Sequence, residues 1–133
     1  MDRIKIGVTG SRNGSEVELE DILKGIQKEF SNHVVEIHHG DCKGVDEDVH
    51  RISRKLGFEI VIHPPSEKSK RAFCESTEIR PKQPFLQRNK EIVSETDILL
   101  GFPATQHEVQ RSGTWATIRN ARKHNKEVRI FSK

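Results

Sequence analysis

Three short glycine-bearing segments of the chain have the composition of anion-binding loops. They are Gly-Ser-Arg-Asn-Gly at 10–14, Gly-Asp-Cys-Lys-Gly at 40–44 and Arg-Ser-Gly-Thr at 111–114. Glycine lets a backbone approach a phosphate closely, and each segment precedes a stretch of helical periodicity whose first N–H groups are unpaired. One such loop is weak evidence, because glycine is common in turns for conformational reasons alone. Three together predict a phosphate site.

Side chains in and beside these loops supply further binding groups. Arg12 can hold a phosphate through two parallel hydrogen bonds, which lysine cannot. Asp46 lies near the start of a predicted helix, where it either caps that helix or accepts a hydrogen bond from a ribose hydroxyl, and both alternatives stay open. Trp115, the only tryptophan, is predicted to belong to the core rather than to a base-stacking site.

The elements that position these loops follow from the apolar periodicity. Two-residue alternation and short apolar runs predict five strands, at 3–9, 34–39, 58–62, 97–102 and 127–131. Helical spacing predicts four helices: from a Ser15/Glu18 capping box to near Ser31, from Val45 to a C-capping Gly57, from Phe85 onward, and over about 113–124. Parallel strands need helical crossovers, so we predict an α/β fold with a five-stranded parallel sheet and helices on both faces.

The polar stretch from His63 to Pro84 carries four prolines and no apolar period. It is predicted to be a long, mobile loop that forms a lid over a ligand.

Composition bounds the function classes. A length of 133 residues predicts one domain over 1–133, and a net charge of +3 with interleaved signs disfavours nucleic acid as a partner. No apolar run is long enough to span a membrane, and we expect a cytoplasmic protein with reduced Cys42 and Cys74. Neither a dinucleotide fingerprint nor a P-loop occurs, so no cofactor is expected. No metal is expected either: His38 and His39 are neighbours on a strand and point to opposite faces, which predicts one core histidine and one at the rim of a cleft.

Four motifs, in order, resemble those of the SLOG superfamily, which joins the DNA-processing protein A fold to the Lonely Guy nucleotide hydrolases. They are V-T-G-S-R at 8–12, H-G-D-C-K-G-V-D at 39–46, Arg88-Asn89 and R-S-G-T-W at 111–115. The resemblance implies a Rossmann-like sheet of order 3-2-1-4-5, a small-molecule nucleotide or nucleotide derivative as ligand, and a homo-oligomer, since the family often forms dimers. Together with the loops it gives the predicted ligand-binding residues Gly10, Ser11, Arg12, Gly40, Asp41, Gly44, Asp46, Arg88, Asn89, Ser112, Gly113 and Thr114.

One departure from the family bears on mechanism. The hydrolase branch carries P-G-G-x-G-T-x-x-E, whose glutamate acts at the glycosidic bond, whereas this chain has Thr117 three residues after Thr114. Threonine carries no charge to stabilise an oxocarbenium-like transition state or to activate water. Asp41, Asp46 or Glu108 could take that place, and Arg88 and Asp46 are the candidate catalytic groups. Three functions stay open: a nucleotide-binding module, an N-glycosidase of nucleoside monophosphates, and a DNA-binding protein.

Overall fold

The computed structural model describes residues 2–15 and 17–132. The strands are β1 (Asp2–Gly10), β2 (His33–His39), β3 (Glu59–Ile62), β4 (Glu78–Ile79), β5 (Ile98–Phe102) and β6 (Glu127–Ile130). The helices are α1 (Leu19–Glu29), α2 (Val45–Leu56), α3 (Phe85–Glu95) and α4 (Gly113–Lys123). Strands and helices thus alternate along the chain as the periodicity predicts.

All the strands pair in parallel in one sheet of order β4-β3-β2-β1-β5-β6. The five strands β3-β2-β1-β5-β6 reproduce the predicted order 3-2-1-4-5, and the α/β Rossmann-like fold is confirmed. The sheet has six strands rather than five, because β4 adds an edge beside β3 with Val61 opposite Glu78 and Ile62 opposite Ile79. A two-residue strand is too short to show an apolar alternation, so main-chain pairing alone reveals it.

Helices cover both faces of the sheet. On one face, α1 and α2 bury Leu23 and Ile52 against sheet residues such as Ile37. On the other face, α3 and α4 bury Ile92 and Ile118. The residues buried on the α1/α2 face form a first apolar cluster, and those on the α3/α4 face form a second. Along β5, Ile98 and Leu100 belong to the first cluster and Leu99 to the second, because side chains alternate along a strand. Trp115 is buried in the second cluster, which confirms it as a core residue.

The two predicted caps have different outcomes. Gly57 ends α2 in the left-handed conformation, with φ of 79°, and its N–H donates to the Arg54 carbonyl, so the C-cap is confirmed. The Ser15/Glu18 capping box is wrong. The α1 helix begins at Leu19 without a side-chain cap, and the Ser15 hydroxyl instead accepts from the Val17 N–H at 3.1 Å. A local Ser turn therefore replaces the cap.

The segment 63–84, predicted to be a loop, contains a short 3₁₀ helix at Lys68–Lys70 as well as β4. It is fastened to the second glycine loop through Asp41, whose carboxylate pairs with Arg71 at 2.6 Å and accepts from the Cys74 N–H at 2.8 Å. The Asp41 carbonyl also accepts from the Ala72 N–H at 2.7 Å. Its role as a mobile lid stays a prediction. None of the helices formed by the described residues has both the length and the apolar character needed to cross a membrane.

Candidate anion-binding cleft

The carboxyl ends of β1, β2 and β5 open onto a cleft of about 540 Å³. In an open parallel sheet this edge is where ligands bind, because the helix N-termini and the loops after the strands face it. Of the predicted ligand-binding residues, ten line the cleft: Gly10, Ser11, Arg12, Gly40, Asp46, Arg88, Asn89, Ser112, Gly113 and Thr114. The fold therefore brings together residues that are more than 100 positions apart in the sequence.

Asp41 and Gly44 do not line the cleft but shape the second loop. Asp41 is fully buried and its carboxylate faces the 63–84 segment, away from the cleft. Gly44 has φ of 92°, and a Cβ there would overlap the backbone of Ser11 and Arg12. The Ser11 carbonyl accepts from the Val45 N–H at 3.0 Å. Gly44 thus allows the first and second loops to pack in direct contact.

Arg88 is a buried cation without a charged partner. It is 5% exposed, and no carboxylate of the described residues forms an ion pair with it. Its guanidinium donates to the Gly40 carbonyl, to the His63 carbonyl at 3.2 Å and to Asn89 Oδ1 at 2.7 Å, with Cys42 Sγ at 3.5 Å. A buried charge is expensive unless it is paired, so neutral dipoles hold this one ready for an anion.

Asp46 is the only acidic residue among the described residues that line the cleft. Its Oδ2 accepts from the N–H groups of Gly40 at 3.1 Å and Cys42 at 3.3 Å, both in the second loop. It does not cap α2, whose N-cap is Gly44. Its Oδ1 is buried and has no hydrogen-bond partner among the described residues. Burial raises the pKa of Asp46 to about 6, against the opposing effect of Arg88.

Two further arginines make the cleft strongly cationic. Arg12 and Arg111 are exposed at its rim, and neither pairs with a carboxylate of the described residues. The half-buried Phe85 ring lies 5.5 Å from the Arg12 guanidinium carbon and 5.3 Å from that of Arg88. Three arginines thus face one carboxylate, and the field favours an anionic ligand.

Sequence reasoning missed Phe85 and Arg111 as site residues. In the sequence Phe85 fits the helix pattern, and its position three residues before the Arg88-Asn89 pair is the signal that could have identified it. Arg111 belongs to the third glycine loop, where its positive charge is the corresponding signal. Both line the cleft, and Phe85 gives it a flat apolar surface beside the cations.

The N-terminus of α4 completes the cleft. Ser112 is the N-cap, and its hydroxyl accepts from the Trp115 N–H at 3.2 Å. A Cβ on Gly113 would meet no atom within 4 Å. No acceptor for the N–H groups of Gly113 and Thr114 is present in the described part of the chain. Thr117 is buried and donates to the Gly113 carbonyl at 2.9 Å, so the position of the hydrolase glutamate does not line the cleft.

The fold and the cleft define a Rossmann-like protein with a cationic site at the carboxyl edge of a parallel sheet. Solved structures with a Rossmann-like fold superpose on it, in agreement with the fold that the sequence motifs predicted. No family model matches the chain, and no curated protein does.

Three solved structures illustrate the likeness. The molybdenum cofactor binding protein from the phototrophic bacterium Rippkaea orientalis has a TM-score of 0.72 at 18% identity, and the match covers 100% of this chain and 78% of that protein's chain. The Moco carrier protein from Chlamydomonas reinhardtii has a TM-score of 0.69 at 16% identity, covering 97% and 76%. DNA processing protein A from Streptococcus pneumoniae has a TM-score of 0.70 at 21% identity, covering 96% of this chain and 50% of its own. At these identities the likeness concerns the fold.

Proposed function

We propose that the protein binds a phosphorylated nucleotide or nucleotide-derived small molecule in this cleft. The observation that carries the proposal is the buried Arg88, which has no ion-pair partner among the described residues and lies where three glycine loops converge. A phosphate oxygen would supply the missing negative charge and accept from the open N–H groups of Gly113 and Thr114.

The rest of the cleft favours a nucleotide over inorganic phosphate. A volume of about 540 Å³ lies in the range of small-molecule sites, and is larger than a phosphate group needs. The Phe85 ring offers a surface on which a base can stack. The unpartnered Oδ1 of Asp46 is an acceptor for a sugar hydroxyl. Each part of a nucleoside monophosphate thus has a matching group.

A second candidate ligand is the molybdenum cofactor, a phosphorylated pterin. Two of the structures with this fold are described as binding or carrying that cofactor. A pterin ring and its phosphate would use the same chemistry, an aromatic surface and an anion site, so Phe85 and Arg88 serve either ligand.

Binding is favoured over hydrolysis of an N-glycosidic bond. The position of the family glutamate is Thr117, whose hydroxyl is bonded to the Gly113 carbonyl within α4. Asp46 is the one carboxylate of the described residues that remains at the cleft, and two backbone N–H groups already hold its Oδ2. Hydrolysis would therefore have to rely on Asp46 alone.

The test is calorimetric titration of the protein with nucleoside monophosphates, cyclic nucleotides, ADP-ribose, molybdopterin and a short DNA duplex, with chromatography of each mixture for released base. We expect saturable binding of a phosphorylated small molecule without release of base. Base release that Asp46→Asn abolishes would assign the hydrolase function instead. The proposal would be rejected if the protein bound DNA tightly and none of the small molecules, or if it bound none of these ligands.

A further inference from the structure

Two pairs of histidines lie on opposite faces of the sheet, well inside the protein. His38 and His39 are both fully buried, so the prediction that one of them lies at the rim of the cleft is wrong. Each finds a histidine on its own face: His38 lies 2.8 Å from His63 Nε2 through its Nδ1, and His39 lies 2.9 Å from His50 Nδ1 through its Nε2. His63 follows β3, and β3 lies beside β2 in the sheet. The His38–His63 pair therefore forms between two strands, and no local sequence motif predicts it.

The two pairs differ in how their outer nitrogens are held. The Asp41 N–H donates to His39 Nδ1 at 2.9 Å, so His39 carries its proton on Nε2 and donates it to His50. The His39–His50 pair is thus joined by an ordinary hydrogen bond and needs no ion between its rings. In the other pair both outer nitrogens face carboxylates: His38 Nε2 lies 2.6 Å from Glu36, and His63 Nδ1 lies 2.6 Å from Glu91.

This arrangement leaves two lone pairs facing each other. A carboxylate oxygen accepts, so His38 Nε2 and His63 Nδ1 must carry the protons. In neutral rings His38 Nδ1 and His63 Nε2 then both present lone pairs across 2.8 Å, and a positive charge between them, a proton or a metal ion, removes the repulsion.

A third ligand stands beside this pair. Glu95 Oε1 lies 3.9 Å from His38 Nδ1, and ligand atoms of His38, His63 and Glu95 all lie within 4.8 Å of one another. Around a tetrahedral zinc with bonds of about 2.0–2.1 Å, neighbouring ligand atoms are about 3.3 Å apart, so small shifts suffice. Carboxylates that hold the outer ring nitrogens are the usual second layer of a metal site.

We propose that His38 Nδ1, His63 Nε2 and a Glu95 carboxylate oxygen form a binding site for a divalent transition-metal ion, zinc by its ligand set. The site lies on the α3 face of the sheet and joins β2, the end of β3 and α3. Arg80, which is 33% exposed and holds Glu95 at 2.8 Å, must release it and turn to solvent. The proposal is independent of the ligand in the cleft.

The test uses the full chain, stripped with a chelator and titrated with Zn²⁺ in a calorimeter. We expect one zinc per chain and a rise in melting temperature on adding the metal. Glu95→Gln keeps the side-chain shape and is expected to lower the zinc affinity by about ten-fold or more. The matched control is Glu78→Gln, which removes another carboxylate bound to Arg80 but no ligand, and should bind zinc as the wild type does.

His63→Gln is the second variant and should abolish binding. If it does not fold, Glu95→Gln remains decisive, because that side chain is 28% exposed and lies on the surface of α3. Cobalt substitution gives a readout separate from stability, since a bound ion develops visible d–d bands, which should need about ten-fold more cobalt or above in the Glu95→Gln variant. The proposal is overturned if the folded, stripped wild type binds no zinc, or if Glu95→Gln binds it as tightly as Glu78→Gln does.

Discussion

Gly113→Asp tests whether the N-terminus of α4 is the phosphate position. A Cβ at Gly113 would meet no atom within 4 Å, and its φ lies outside the left-handed region, so the fold accepts a side chain. Aspartate in the first turn of a helix is favourable to the helix dipole by about 0.3–1 kcal/mol. The substitution therefore adds a negative charge at the proposed site without removing a packing contact.

The loss of affinity follows from the distance between the two charges. A first-turn carboxylate would lie about 5 Å from a phosphate held by the N–H groups of the same turn, which corresponds to about 1 kcal/mol in water and about 3 kcal/mol at an effective dielectric constant near 20. The cleft edge is partly exposed, so we expect about 1–3 kcal/mol. Binding should weaken about five-fold to a hundred-fold.

The assay is calorimetric titration with AMP and GMP, supported by thermal shift, in which ligand at about 100 times its Kd adds about 2.7 kcal/mol to native stability. Gly113→Asn has the same shape without the charge and should lose much less. Gly25→Asp places the same charge on α1, where a Cβ also meets no atom within 4 Å, and should bind as the wild type does. Equal affinity of Gly113→Asp and wild type would refute the assignment, and equal losses for Asp and Asn would show that bulk, not charge, is responsible.

Three further changes test other parts of the structure. Asp46→Asn removes a carboxylate whose pKa is raised from an ordinary 3.8 to about 6. The wild type should therefore lose up to about 3 kcal/mol of stability relative to the variant as the pH rises from about 3.8 to 6. Melting temperatures of the two proteins that change in parallel across that pH range would contradict the raised pKa. Phe85→Ala should weaken AMP binding by about 1–3 kcal/mol and leave inorganic phosphate binding unchanged, and an equal loss for both would assign Phe85 to anion binding rather than stacking. Arg71→Met leaves the Asp41 carboxylate buried and without its ion-pair partner. Urea unfolding should show a free energy of unfolding lower by about 3–5 kcal/mol, and trypsin should cleave faster within 63–84. Wild-type values for both measurements would show that the ion pair does not hold the segment in place.

The fold class could be predicted from local patterns. Two-residue and helical periodicities alternate along the chain, and parallel strands need helical crossovers, so the parallel sheet with helices on both faces followed. The order of the strands came instead from the resemblance of the motifs to the SLOG superfamily. The convergence of the three glycine loops followed for the same reason, since the carboxyl ends of parallel strands share one edge. Ten predicted residues line the cleft, most of them on that ground, whereas Arg88 and Asn89 were predicted from the family resemblance.

What the sequence could not determine depends on contacts between distant segments. The edge strand β4 is defined by main-chain pairing with β3, and two residues carry no period of their own. Asp41 stands in a loop of cleft residues but has φ of 56° and points to Arg71, 30 positions away. Neither the pairing of β4 nor the orientation of the Asp41 side chain is encoded locally, because the conformation of a short segment or loop depends on the residues that pack against it.

Polar side chains show the same division most clearly. The sequence determined that His38 and His39 point to opposite faces, because side chains alternate along a strand. Only the tertiary structure decided that both are buried and that His63 lies against His38, since β3 brings it there from 25 positions away. The type and spacing of residues fix which chemistry a face can offer, whereas the charges and lone pairs that remain unpaired there depend on neighbours that only the folded chain supplies.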